Sequence, residues 1–184
     1  EILTDARRAP AASGPALRLV GELSSNGGDV YEGLKVGYLF REFAVSTVVR
    51  RGDLCLSACA LAFLGGTEAV LPKAIPDRAV EIGGEVGFHS FWLNPAAVSE
   101  RSGDSASGNM IVGFNIARGG AALLIKYANV MNVDMTFIGR LLGRPPEEWE
   151  YIDFAGEFMD MTSCPVPLGP PDVRPEQIAI DRKS

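Results

Sequence analysis

The chain has 184 residues, 47% of them hydrophobic and 22% charged, with a formal net charge of -6. That length suits one domain, or one domain with an arm, and so apolar a composition excludes a chain disordered throughout. The acidic balance argues against a nucleic-acid-binding surface, which needs clustered Lys and Arg.

No apolar run approaches the length of a bilayer span. Residues 1–10 are polar and lack the charged-then-apolar pattern of a secretory signal. The expectation is a cytosolic protein, or one whose signal has been removed. The three cysteines, Cys55, Cys59 and Cys164, cannot all pair within one chain. Three buried thiols is the simplest reading, with one disulfide left open.

Residues 9–15, small and Pro-containing, read as a loop. Residues 16–24 read as a strand, with Leu17, Leu19 and Leu23 alternating with Arg18, Val20 and Glu22 at a period near two. Ser24-Ser25-Asn26-Gly27-Gly28 must turn, because adjacent glycines adopt backbone angles that other residues resist. Asp29 is placed to cap a helix over 30–42, with Val30, Leu34 and Tyr38 on one face. The β-branched run 45–49 predicts a second strand, and 50–53 a polar turn. Residues 55–64 show no alternation and read as a strand end feeding a buried helix, which Gly65 and Gly66 stop. Residues 68–71 form a short strand broken by Pro72, and 85–88 another that ends near His89. Strand and helix alternate, which implies a parallel sheet with helical crossovers. Sites in such sheets lie beyond the carboxyl ends of the strands. Gly27, Ser57 and His89 each follow a predicted strand, on one edge.

The polar stretch 94–109 reads as a mobile loop. Residues 110–130 read as a long helix, weakened by Gly119 and Gly120, and 135–142 as a shorter one that Pro145-Pro146 breaks. Residues 149–152 suggest a last short strand. The chain thus divides into a domain over 1–164, helical across 110–142, and a Pro-rich extended tail over 165–184.

Ser57 falls at a strand-to-helix junction, where unpaired backbone N–H groups, that of Ala58 among them, face any oxygen bound nearby. A hydroxyl beside such donors suits acyl transfer. The plainer alternative is that Ser57 is a helix N-cap. His89 is the sole histidine, and the natural base if Ser57 is a nucleophile. Read plainly, it is a structural or surface residue. Gly27-Gly28 is either a tight turn or the source of a second donor to the same oxyanion, and it is too short for a phosphate-binding loop. One histidine and scattered cysteines give no metal-ligand spacing. No metal, nucleotide or flavin cofactor is expected.

Three segments in order carry a resemblance. Leu23-Ser24-Ser25-Asn26-Gly27-Gly28-Asp29-Val30, followed by Gly33, resembles the Ser-Pro-Gly-Gly turn of caseinolytic (Clp-type) serine proteases, with Asn26 in place of Pro. Cys55-Leu56-Ser57-Ala58-Cys59-Ala60 resembles the small-residue segment around their nucleophile. Gly65-Gly66 through Val70-Leu71-Pro72, then Val86-Gly87-Phe88-His89, resembles their stretch ending at the catalytic histidine. The doubled cysteine and Gly-Phe-His are similar to a bacterial branch expected in the periplasm.

The resemblance implies an α/β fold, the spiral of ββα units shared by Clp proteases and crotonases. It implies Ser57 as nucleophile, His89 as general base, and an oxyanion hole from the backbone N–H groups of Gly27 or Gly28 and of Ala58. It further implies a homo-oligomer assembled through the long helix, peptide or unfolded protein as substrate, and a periplasmic or secreted location, with a cytoplasmic one as alternative. In an oxidising compartment, a Cys55–Cys59 or Cys55–Cys164 disulfide would clamp the nucleophile helix.

Three departures stand out. Residues 75–84 look like an insertion, a loop shielding or shaping the site. The family's third catalytic residue, an Asp, aligns around 144–146, where there is none; Asp134, Glu147, Asp153 and Asn132 are substitutes without a motif match, Asp134 foremost. The family's opening strands before the Gly-Gly turn are largely missing. The competing readings are an inactive Clp-like binding or assembly protein, a crotonase-type acyl-coenzyme A enzyme, and a Ser–Lys dyad as in signal-peptide peptidases, using Lys35, Lys73 or Lys126.

Overall fold

The computed structural model describes residues 18–70, 73–90 and 106–152. Within them the chain runs β1 (Leu19–Glu22), α1 (Val30–Glu42), β2 (Val45–Val49), β3 (Leu54–Leu56), α2 (Ala58–Phe63), β4 (Thr67–Val70), β5 (Lys73–Pro76), β6 (Arg78–Val80), β7 (Glu85–Phe88), α3 (Ala106–Val130), α4 (Met135–Gly143) and β8 (Glu150–Tyr151). The fold is mixed α/β. One small parallel sheet has the order β1-β2-β6, and a second has the order β3-β7-β8. In the second, β3 and β7 are parallel and β8 joins antiparallel. A helical part follows.

Asp29 caps α1 as expected, its carboxylate accepting from the Glu32 N–H at 3.0 Å. The buried face of α1 is Gly33, Leu34 and Gly37, displaced from the expected Val30-Leu34-Tyr38 stripe. Small residues decide it. A Cβ on Gly33 would lie 2.4 Å from the Ala58 carbonyl oxygen, so glycine lets α1 press directly on α2. Tyr38 keeps an edge contact with the Tyr127 ring instead.

One expectation about the middle of the chain needs correction. Residues 75–84 are not one loop, because only 81–84 form a turn. Ile75 and Pro76 end β5, which pairs antiparallel with β4, and β6 completes the first parallel sheet beside β2. Arg78 and the prolines hid this pattern. The expected parallel sheet is present as β1-β2-β6, while β8 joins β7 antiparallel and β4–β5 form a separate antiparallel pair. The long helix begins at Ala106, inside the stretch expected to be a loop; the remainder of that stretch and the tail over 165–184 lie outside the described residues.

The core gathers Val49, Cys55, Phe63, Leu64, Phe88, Leu124, Tyr127 and Phe137 from both sheets and from the helices. Removing this apolar surface from water is the main favourable term of folding. Two polar ties anchor the C-terminal part of α3, one to α2 and one to β6. The Tyr127 hydroxyl donates to the Leu61 carbonyl at 2.6 Å. The buried Arg78 guanidinium donates to the Met131 carbonyl, and burial pushes its pKa down to about 10. Among the described residues, no helix is long and apolar enough to cross a membrane.

Candidate active site

The site is built where β3 and β7 end side by side. Leu56 is in register with Gly87, so the next residues along these two parallel strands emerge at the same sheet edge. The chain turns sharply at Ser57, whose φ of 56° lies in the left-handed region that L-residues seldom adopt. Its N–H donates to the Gly87 carbonyl at 2.9 Å. A strained turn from strand to helix holds a hydroxyl outward. Ser57 occupies the N-cap position of α2, as the plainer alternative had it, but its side chain makes no capping hydrogen bond. Instead Ser57 Oγ lies 2.7 Å from His89 Nε2. With that nitrogen unprotonated the hydroxyl donates to it, which is the geometry general-base activation requires.

The Gly27-Gly28 turn lies against this one. Ser25 bridges Cys55 in parallel fashion, its N–H donating to the Leu54 carbonyl and its carbonyl accepting from the Leu56 N–H. Gly27 has φ 99°, and a Cβ there would meet the Leu56 carbonyl at 2.6 Å and Ser57 Cβ at 2.7 Å. Only glycine allows the two turns to touch. The Gly27 N–H donates to Ser25 Oγ at 3.2 Å. Of the two expected donors, Gly28 is the one that lines the cleft over Ser57. Ala58 follows Ser57 as the first residue of α2.

Cys55 and Cys59 form a disulfide with their Cα atoms 5.1 Å apart. This corrects the expectation of three free thiols; Cys164 lies outside the described residues. The spacing of four allows the bond because Cys55 lies in the middle of β3 and Cys59 in the first turn of α2. The cross-link therefore brackets Ser57.

Ser57 and His89 are half-buried at the floor of a cleft of about 320 Å³, walled by Val30, Leu34, Leu61, Phe88, Ile116 and Leu123. Its walls come from α1, α2 and α3, so the long helix helps shape the site. Such an apolar concavity with a few convergent polar groups is the usual form of a small ligand or side-chain site.

No protein-family model matches the chain, and no curated protein matches it in sequence.

Among the described residues, no carboxylate hydrogen-bonds His89. The Asp134 carboxylate accepts from the Thr136 N–H at 2.6 Å as the N-cap of α4, and these hydrogen bonds hold its pKa below the ordinary value. Glu147 is exposed, Asn132 is exposed with φ 57°, and Asp153 lies outside the described residues. Lys35 pairs with Glu32 at 2.6 Å, which raises its pKa and favours its charged form, the wrong direction for a Ser–Lys base. What does touch the imidazole is an aromatic ring absent from the sequence-based list. The Trp149 and His89 ring centroids are 4.6 Å apart, with their planes 53° to each other. A pairing between residues so far apart in sequence leaves little local signal. The one clue is the alternation Trp149-Glu150-Tyr151, which puts both aromatics on one side of the chain as it enters β8.

Proposed function

We propose that this protein is a serine peptidase of Clp type, cleaving peptides or unfolded protein segments through an acyl-enzyme on Ser57. The 2.7 Å approach of Ser57 Oγ to His89 Nε2 on a left-handed strand-to-helix turn carries the reading. Ser57 Oγ attacks the scissile carbonyl carbon while His89 Nε2 takes the hydroxyl proton. The carbonyl oxygen, now anionic, is received by the backbone N–H groups of Gly28 and Ala58. Collapse breaks the C–N bond, and His89 returns the proton to the departing amine. Water, deprotonated by His89, then frees the acyl group.

The Clp and crotonase type of spiral is part of the same proposal. Its support is the order β1-α1-β2 followed by β3-α2, with Gly27, Ser57 and His89 all after strands. The Cys55–Cys59 disulfide supports an oxidising compartment, hence a periplasmic or secreted location. Met110, Ile111 and Phe114, all exposed along α3, support assembly into a homo-oligomer through that helix.

The test is cleavage of an unfolded protein substrate such as reduced casein by wild type and by Ser57→Ala. The reading predicts cleavage by the first and none by the second. A second reading, an inactive Clp-like binding or assembly protein, draws on the lack of a carboxylate on His89 among the described residues. It predicts that wild type and Ser57→Ala bind the same substrate and that neither cleaves it.

A further inference from the structure

An imidazole acting as base needs three things: a fixed ring orientation, the correct tautomer, and a partner for the positive charge it acquires. In a triad one carboxylate supplies all three. We propose that in this chain Trp149 is the positioning residue of His89, holding the ring toward Ser57 and stabilising the imidazolium with the face of its indole. The inference rests on the serine-nucleophile reading above and assigns how its base is held.

Strand pairing delivers the contact. In the β7–β8 ladder Gly87 is opposite Tyr151 and Phe88 opposite Glu150. Continuing that antiparallel register by one step sets His89 opposite Trp149. Side chains alternate along a strand and direct partners project to the same side, so Gly87, His89, Tyr151 and Trp149 share one face of the ladder. Phe88 and Glu150 point the other way, and both are buried.

Each part of that ladder is fixed by its own contacts. Glu150 forms ion pairs with Arg140 at 3.5 Å and Arg144 at 2.6 Å, a buried carboxylate that cannot leave its partners cheaply. Ser90, next to His89, donates its hydroxyl to the Arg144 carbonyl at 2.9 Å. Tyr151 lies over Gly87, where a Cβ would come within 2.7 Å of its ring. Its ring stacks on Trp149 at 6.0 Å between centroids. The order Gly87, Tyr151, Trp149, His89 is thus one continuous pile of contacts. At 4.6 Å the indole is within the range at which an aromatic face attracts a cation. The attraction strengthens as the proton arrives from Ser57, so it favours the transition state over the resting state.

The experiment measures inactivation by a fluorophosphonate probe, with kinact and KI determined separately, for wild type, Trp149→Phe, Trp149→Leu and Trp149→Ala, each checked by thermal melt. Trp149→Leu and Trp149→Ala are expected to lose roughly 10-fold in kinact with KI unchanged, and Trp149→Phe to stay within about 3-fold of wild type. A Trp149→Leu variant as fast as wild type, or a Trp149→Phe variant as slow as Trp149→Leu, would overturn the proposal. A second readout does not depend on activity. His89 is the sole histidine, so its ring protons give one set of NMR signals. They are expected to carry a ring-current shift that is lost in Trp149→Ala. An unshifted wild-type signal overturns the contact itself. A shifted signal with no labelling of wild type overturns the serine reading, and with it any catalytic role for Trp149, while leaving the contact in place.

Discussion

The Ser57 N–H donates to the Gly87 carbonyl at 2.9 Å, tying the backbone of Ser57 to the strand that is followed by His89. Distance and direction between Ser57 and His89 are thereby set by the β3–β7 ladder rather than by flexible loops. Reactive groups held on rigid elements keep the near-attack geometry that catalysis demands.

Gly27→Ala should disrupt this arrangement. At φ 99° the new Cβ would lie 2.7 Å from Ser57 Cβ, so backbone strain and a clash coincide. We expect a loss of about 1–3 kcal/mol in stability and loss of fluorophosphonate labelling. Gly52→Ala is the control. Gly52 also has positive φ, at 81°, but nothing lies within 4 Å of its would-be Cβ, so that variant should lose stability and keep labelling. Denaturant melts and labelling rates decide both.

Reduction of the Cys55–Cys59 bond should destabilise the domain by roughly 2 kcal/mol, the loop-closure value for so short a loop. Cys55→Ala/Cys59→Ala should melt where the reduced wild type does, and it should be insensitive to reductant. A melt of wild type unchanged by a dithiol would show that the cross-link contributes nothing to stability.

Asp134 separates capping from catalysis. Hydrogen bonds from Thr136 hold its carboxyl below the usual 3.8, so its stabilising contribution is present above that value and is lost as pH falls through the folded-state value. Asp134→Ala should lower Tm at neutral pH, and the difference from wild type should vanish in acid. Its labelling rate should match wild type. A sharp fall in labelling at full folding would instead make Asp134 part of the site.

Tyr127→Phe leaves the buried Leu61 carbonyl without the hydroxyl that donates to it at 2.6 Å. The expected cost is about 1–2 kcal/mol in chemical denaturation. Labelling should persist, because the core contact lies behind the cleft wall that Leu61 presents.

Local signals made much of this legible in the sequence. The cap at Asp29, the helix over 30–42, the strand over 45–49 and the Ser57 junction are all fixed by neighbours in the chain, and each lies as expected. Ser57 and His89 stood out because each follows a predicted strand, and they do follow β3 and β7. The failures are non-local. Residues 75–84 carry no clean alternation, since β6 buries an arginine, and only the β2 edge makes it a strand. The Cys55–Cys59 disulfide is one of the two pairings that the resemblance implied, while composition alone pointed to three buried thiols. Trp149 reaches His89 through antiparallel pairing that no short window contains.

The most direct test is the rate at which a fluorophosphonate labels folded wild type, Ser57→Ala and His89→Ala, with the adduct mapped by peptide mass. An activated serine predicts one adduct on the Ser57 peptide, none in Ser57→Ala, and a rate at least about 100-fold lower in His89→Ala. Folded wild-type protein that acquires no adduct, or His89→Ala labelling as fast as wild type, would contradict the account.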